Sequence, residues 1–187
     1  MRRIILTLFG VSTCGLAAVY AQNGIDPALL AKASAGDTAA EVQVGESYET
    51  GKGVDRDYSQ AAAWYLKAAD QGTVAGELHL AELYRDGGGK AFPRDPVKSA
   101  QWYLKAADQG DVSAQGTMGM LYMLGVGVPR SDADAYFWLD LASSAQGPDQ
   151  ERYEINRQNV GTRITADQLD EIGQRVAAWK AKHPHRE

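Results

Sequence analysis

The sequence predicts an all-α fold: a right-handed α/α solenoid of about three helix-turn-helix repeats, with capping helices at both ends. Three observations predict it. The segment Ala61-Ala62-Ala63-Trp64-Tyr65-Leu66-Lys67-Ala68-Ala69-Asp70-Gln71-Gly72 returns 38 residues later as Ser99-Ala100-Gln101-Trp102-Tyr103-Leu104-Lys105-Ala106-Ala107-Asp108-Gln109-Gly110. The stretch before it repeats as well. Ala40, Gly45, Tyr48, Gly51 and Gly53 correspond to Gly76, Ala81, Tyr84, Gly87 and Gly89, and then to Ala114, Gly119, Tyr122, Gly125 and Gly127, at intervals of 36 and 38 residues. Self-similarity at such a period marks stacked supersecondary units. Beyond residue 21, no segment has the alternation of a strand.

Residues 1–21 read as a secretory signal peptide. Arg2 and Arg3 precede the uncharged, largely apolar run Ile4 to Ala18, and Val19-Tyr20-Ala21 offers small residues for cleavage after Ala21. Two other fates fit the same residues. Ile4 to Ala21 spans 18 residues, enough for an uncleaved anchor, and Val11-Ser12-Thr13-Cys14-Gly15 loosely matches a site for lipidation at Cys14.

Residues 22–36 form an N-terminal capping helix opened by Asp26-Pro27, the second half of an incomplete unit. Three repeats follow, at 37–72, 73–110 and 111–147. In each, the first helix has small and apolar residues at helical spacing, such as Ala40, Val44 and Tyr48. It ends at a Gly-x-Gly turn suited to a left-handed helix terminus. The second helix opens at Asp57, Asp95 or Ser131, all good N-cap residues, and Pro96 fits the first helical position. Thr73 and Asp111 are expected to cap the first helices of the next units. The third copy is weaker. Asp134-Ala135-Tyr136-Phe137-Trp138-Leu139-Asp140-Leu141-Ala142 is read with Phe137-Trp138 in place of Trp-Tyr and Asp140-Leu141 in place of Lys-Ala. Residues 148–187 supply C-terminal capping helices and a charged tail. One helix runs around Gln150 to Asn159. Thr165-Ala166-Asp167-Gln168 is a capping box opening an amphipathic helix with Leu169, Ile172, Val176 and Trp179 on one face, expected to close the stack. The aromatic pairs Trp64-Tyr65, Trp102-Tyr103 and Phe137-Trp138 should fill the gaps between hairpins, each large ring contributing about 3 kcal/mol or more.

Written as a pattern, the unit is Ala-x4-Gly-x2-Tyr-x2-Gly-x-Gly-Val-x2-Asp-x3-Ala-x2-Trp-Tyr-x-Lys-Ala-Ala-x-Gln-Gly, and Ala40 to Gly72 matches every named position. It resembles the Sel-one-like repeat (SLR) family, a branch of the tetratricopeptide-like helical repeats, from Gly36 to about Gly147. The resemblance implies a non-enzymatic scaffold that holds a partner protein or peptide. Exported bacterial members resemble envelope regulators, assembly factors and immunity proteins that neutralise toxins. The leading expectation is an immunity-type inhibitor or envelope regulator. A cell-wall-acting enzyme accessory and a homo-oligomeric assembly component are the alternatives.

Composition and motifs exclude much else. With 44% hydrophobic residues the 187-residue chain can bury a core. Its net charge of −5, from 19 basic and 24 acidic residues, becomes −7 once Arg2 and Arg3 leave with the leader. That argues against nucleic acid and against polybasic docking on a membrane. After cleavage no cysteine remains, so neither disulfides nor thiol chemistry is expected. There is no Gly-x-Ser-x-Gly and no Ser-x-x-Lys. Glu46-Ser47 echoes the catalytic pair of lytic transglycosylases, but without that family's other motifs, and Glu82 and Met120 stand at the same repeat position. His79 has no histidine at i+4 and reads as a structural helix residue. His183-Pro184-His185 lacks enough ligands for a metal site. No cofactor, metal or catalytic residue is expected.

The first helices should line the concave surface. Positions two before and one after Tyr48, Tyr84 and Tyr122 then face a partner: Glu46 and Glu49, Glu82 and Arg85, Met120 and Met123. The groove would run from acidic to apolar, with Met123, Leu124 and Val126 forming an adaptable patch.

Overall fold

The structure is a computed structural model and describes residues 24–184. The leader, and with it the cleavage, anchor and lipidation readings, lies outside the described residues, as does His185. Among the described residues every regular element is an α-helix, and no helix is long and apolar enough to cross a membrane.

The chain runs α1 (Pro27–Ser34), α2 (Thr38–Thr50), α3 (Tyr58–Asp70), α4 (Val74–Asp86), α5 (Pro96–Asp108), α6 (Val112–Leu124), α7 (Asp132–Ser143), α8 (Gln150–Gly161) and α9 (Ala166–Lys182). Consecutive helices from α1 to α8 pack on one another, giving the hairpins α2–α3, α4–α5 and α6–α7. The turns repeat in detail. The amides of Asp57, Asp95 and Ser131 donate to the carbonyls of Tyr48, Tyr84 and Tyr122 at 2.9, 2.8 and 3.0 Å. Asp57, Asp95 and Ser131 each accept a hydrogen bond from an amide in the first turn of the following helix. Asp26, Asp37 and Asp111 do the same for α1, α2 and α6. Thr73 departs from this. Its hydroxyl donates to the Ala68 carbonyl at 2.7 Å, closing the end of α3, and makes no cap bond to α4.

Close packing explains the small residues. A Cβ on Gly76 would lie 2.6 Å from the Ala69 amide nitrogen, and one on Gly45 would lie 2.5 Å from the Tyr65 ring. In the first and third units the second turn glycine seats the hairpin on the preceding element. A Cβ on Gly127, at φ +72°, would run into the Pro96 carbonyl, and Gly53 packs against Gly24. In the second unit, whose loop is two residues longer, Gly88 makes the equivalent approach, against Tyr58.

The third unit corrects the sequence reading by one residue. Leu139 fills the space against Gly119 that Tyr65 fills against Gly45. Trp138-Leu139 therefore replaces Trp-Tyr, and Leu141 stands where Lys67 and Lys105 stand. In the first two units those lysines cover the neighbouring tryptophans, with Nζ 3.4 Å from the centre of Trp64 and 3.7 Å from that of Trp102. In the third unit α9 provides the cover. Ile172 and Val176 join Phe137, Trp138 and Leu141 in one buried cluster, and Arg175 pairs with Asp134 at 2.7 Å while lying over Phe137. The position of Phe137 holds exposed Ala63 and Gln101 in the other units. Thus α9 lies back along α7 instead of covering the far end of the stack. The outer face of α8, with Glu151, Arg152, Gln158 and Asn159 exposed, supplies the polar end. The capping box of α9 forms as the sequence predicts, but Leu169 is exposed and Trp179 only half-buried. Trp102 is also half-buried.

Candidate functional site: the face of the first helices

The first helices α2 and α4 lie side by side, separated in sequence by α3, which packs beneath both. Helical spacing then places Glu46 and Glu49 on one free face and His79 and Glu82 on the next. With the Gly24–Asp26 segment they line an open groove of about 970 Å³ that also takes in Gln43, Ser47, Lys52 and Gly53.

Glu46 and Glu82 are exposed and Glu49 is half-buried. Tyr65 reaches up from α3 with no exposed surface and donates its hydroxyl to Glu49 Oε2 at 2.5 Å. Burial first, and then the Glu49 carboxylate, push the Tyr65 phenol far above its ordinary ionisation range, so it is a neutral donor at any working pH. The His79 ring stacks on Tyr65 with centroids 4.6 Å apart and planes 10° apart. Its Nε2 lies 3.5 Å from Glu46 Oε1, an ion pair whenever the imidazole is protonated. The wall therefore carries four carboxylates (Asp26, Glu46, Glu49, Glu82) against Lys52 and His79.

Arg85 lies outside this groove wall. It grips Asp86 through two bonds of 2.9 Å and donates from Nη1 to the Tyr103 hydroxyl at 2.9 Å. The Asp86 bond holds its guanidinium well above the ordinary value, and Arg85 in turn lowers Asp86. Burial pushes the Tyr103 phenol up to about 12. Met120 and Met123 are half-buried on α6, Met123 against the α7–α8 core. Leu124 and Val126, at 65% and 42% exposure, extend the apolar end. Of the six positions, the structure thus gathers Glu46, Glu49 and Glu82 into one groove and leaves Arg85, Met120 and Met123 outside it.

His79 and Asp26 complete this wall and were not assigned to it from sequence. For His79 a signal existed: it precedes Glu82 by three residues and so shares its helix face. Among the described residues no group of His, Cys, Asp and Glu is arranged to hold a metal ion. The carboxylates are suited to holding cationic groups through charge-assisted hydrogen bonds.

The model of the Sel1 repeat matches residues 38–73, 74–111 and 112–146. No curated protein matches the chain. Among solved structures, a Sel1 repeat protein from Oxalobacter formigenes is 26% identical, with a TM-score of 0.60, over 71% of this chain and 96% of that one. The chain is also similar in fold to c5321, a protective antigen present in uropathogenic Escherichia coli strains that displays an SLR fold. That match is 23% identical with a TM-score of 0.50, covering 90% of this chain but 44% of the antigen. With three consecutive matches across most of its described length, the chain belongs to the Sel1 repeat family, whose members generally mediate protein–protein interaction and are typically non-enzymatic scaffolds.

Proposed function

We propose that the chain is an exported, non-enzymatic scaffold that binds a segment of one partner protein along the concave face of its first helices. The partner's basic side chains meet the unit-one end of that face. The observation that carries this reading is the convergence of Glu46, Glu49 and Glu82 on one open groove of about 970 Å³. The net charge of −5 favours the same class of partner, because a surplus of one sign steers an oppositely charged partner and raises its on-rate. Export rests on the leader pattern of residues 1–21, with the periplasm or the exterior as destination. The role that fits best is an immunity-type inhibitor or an envelope regulator.

The test is crosslinked capture from the native envelope with a C-terminally tagged chain that keeps its leader. Wild type should recover one protein near stoichiometry, and Glu46→Lys with Glu82→Lys should lose it while retaining the wild-type helical content. Equal recovery by both would place the partner on another face.

A further inference from the structure

In two of the three units a buried phenol from the second helix meets the residue that follows the first-helix tyrosine. Tyr65 donates to Glu49 at 2.5 Å, and Tyr103 accepts from Arg85 at 2.9 Å. In the third unit the same two positions hold Leu139 and Met123, which offer no strong donor or acceptor. A phenol both donates and accepts, so it serves a carboxylate or a guanidinium equally, whereas a leucine serves neither. Tyr65 does more than bond Glu49. Its ring is wedged against Gly45 and forms the platform on which His79 stacks, and His79 in turn stands 3.5 Å from Glu46.

We propose that Tyr65 is a positioning residue for the acidic end of the groove: its buried hydroxyl holds the Glu49 carboxylate in place to receive a cationic side chain of the partner, as Tyr103 holds Arg85 in the next unit. This rests on the reading of the first-helix face as the docking surface and adds what sets its specificity. In the first two units the residue after the first-helix tyrosine is held by a phenol buried beneath it, and in the first unit that residue, Glu49, lines the groove. A glutamate already held loses less freedom when a lysine or arginine arrives, so binding gains several-fold over a free one.

Two readouts on the purified chain test this. In ¹³C relaxation, Tyr65→Phe should lower the order parameter of the Glu49 Cγ, and Tyr103→Phe should leave it unchanged; an unchanged Glu49 in Tyr65→Phe overturns the proposal. With fluorescent octalysine as probe, Tyr65→Phe should weaken binding about 3-fold. The same change made in Glu49→Gln should then have no further effect. A loss that persists in Glu49→Gln would mean that Tyr65 acts through packing alone, and would also overturn it. If octalysine does not bind wild type, the docking reading fails by itself, and the relaxation readout still decides whether Tyr65 holds Glu49.

Discussion

At the scale of single residues, the repeats carry a buried polar contact that changes form along the chain. Glu41 and Glu77, both buried, accept from Gln71 and Gln109 at 2.9 and 2.8 Å. In the third unit Gln115 takes the glutamate's place and donates to the Ala107 carbonyl at 3.3 Å. Burial raises the Glu77 carboxyl above its ordinary 4.5, opposed by the Gln109 bond and by Lys105. A carboxyl more basic folded than unfolded favours the fold most when protonated, and that contribution is lost as pH rises through the window above 4.5. Glu77→Gln keeps an acceptor for Gln109 and cannot ionise. Thermal unfolding should show it as stable as wild type or more so at pH 7, with the advantage shrinking at pH 4. An advantage that grows on acidification would contradict the assignment. The glycines give a second prediction. Gly76→Ala drives a Cβ into backbone and should cost about 1–3 kcal/mol. Gly173→Ala meets nothing within 4 Å and should stabilise α9 by about 0.5–1 kcal/mol. The close packing of the small repeat residues was legible because repetition shows each position three times, whereas the buried glutamate–glutamine contacts were not, because they join different helices. For His79 repetition gives no help, because Gln43 and Thr117 stand at its repeat positions, and only its spacing from Glu82 points to the shared face.

At the scale of elements, the hairpins were legible from caps and turn glycines, and the placement of α9 was not. Caps act through the few amides of their own helix, so local sequence suffices to find them. Asp57→Ala, which removes bonds to two amides, should lower stability by about 1 kcal/mol in denaturant unfolding. The docking of α9 depends on which residues of α7 lack their own cover. That becomes visible only when Trp138, not Phe137, is set against Trp64 and Trp102. In that register the third unit has exchanged a covering lysine for Leu141 and an exposed polar or small residue for Phe137. Phe137→Gln with Leu141→Lys restores the residues of the second unit. It should release α9, read as accelerated amide exchange from Ala166 to Lys182 with α2 to α5 unchanged. Protection of α9 equal to wild type would show that other contacts hold it.

At the scale of the whole molecule, the chain is a one-dimensional stack in which each hairpin buries its core against its neighbours, and the first helices α2 and α4 lie side by side. Along the first helices the side chains at the candidate docking positions pass from Glu46 and Glu49 on α2 through Glu82 and Arg85 on α4 to Met120, Met123 and Leu124 on α6, and of these Glu46, Glu49 and Glu82 line the groove. The periodic tyrosines picked out these positions, since a repeat places equivalent residues on equivalent helix faces. The depth of the groove was not legible, because the Gly24–Asp26 segment that walls it lies far from the repeat positions in sequence. Docking of a partner on the groove wall can be read by site-specific photocrosslinking in the native envelope. A photoreactive side chain at Gln43, exposed in the groove wall, should give a discrete adduct of higher mass. The same group at Ala63 or Gln101, exposed on the second helices, should give none. Adducts from Ala63 or Gln101 and none from Gln43 would place the partner on the opposite face and rule out docking in the groove.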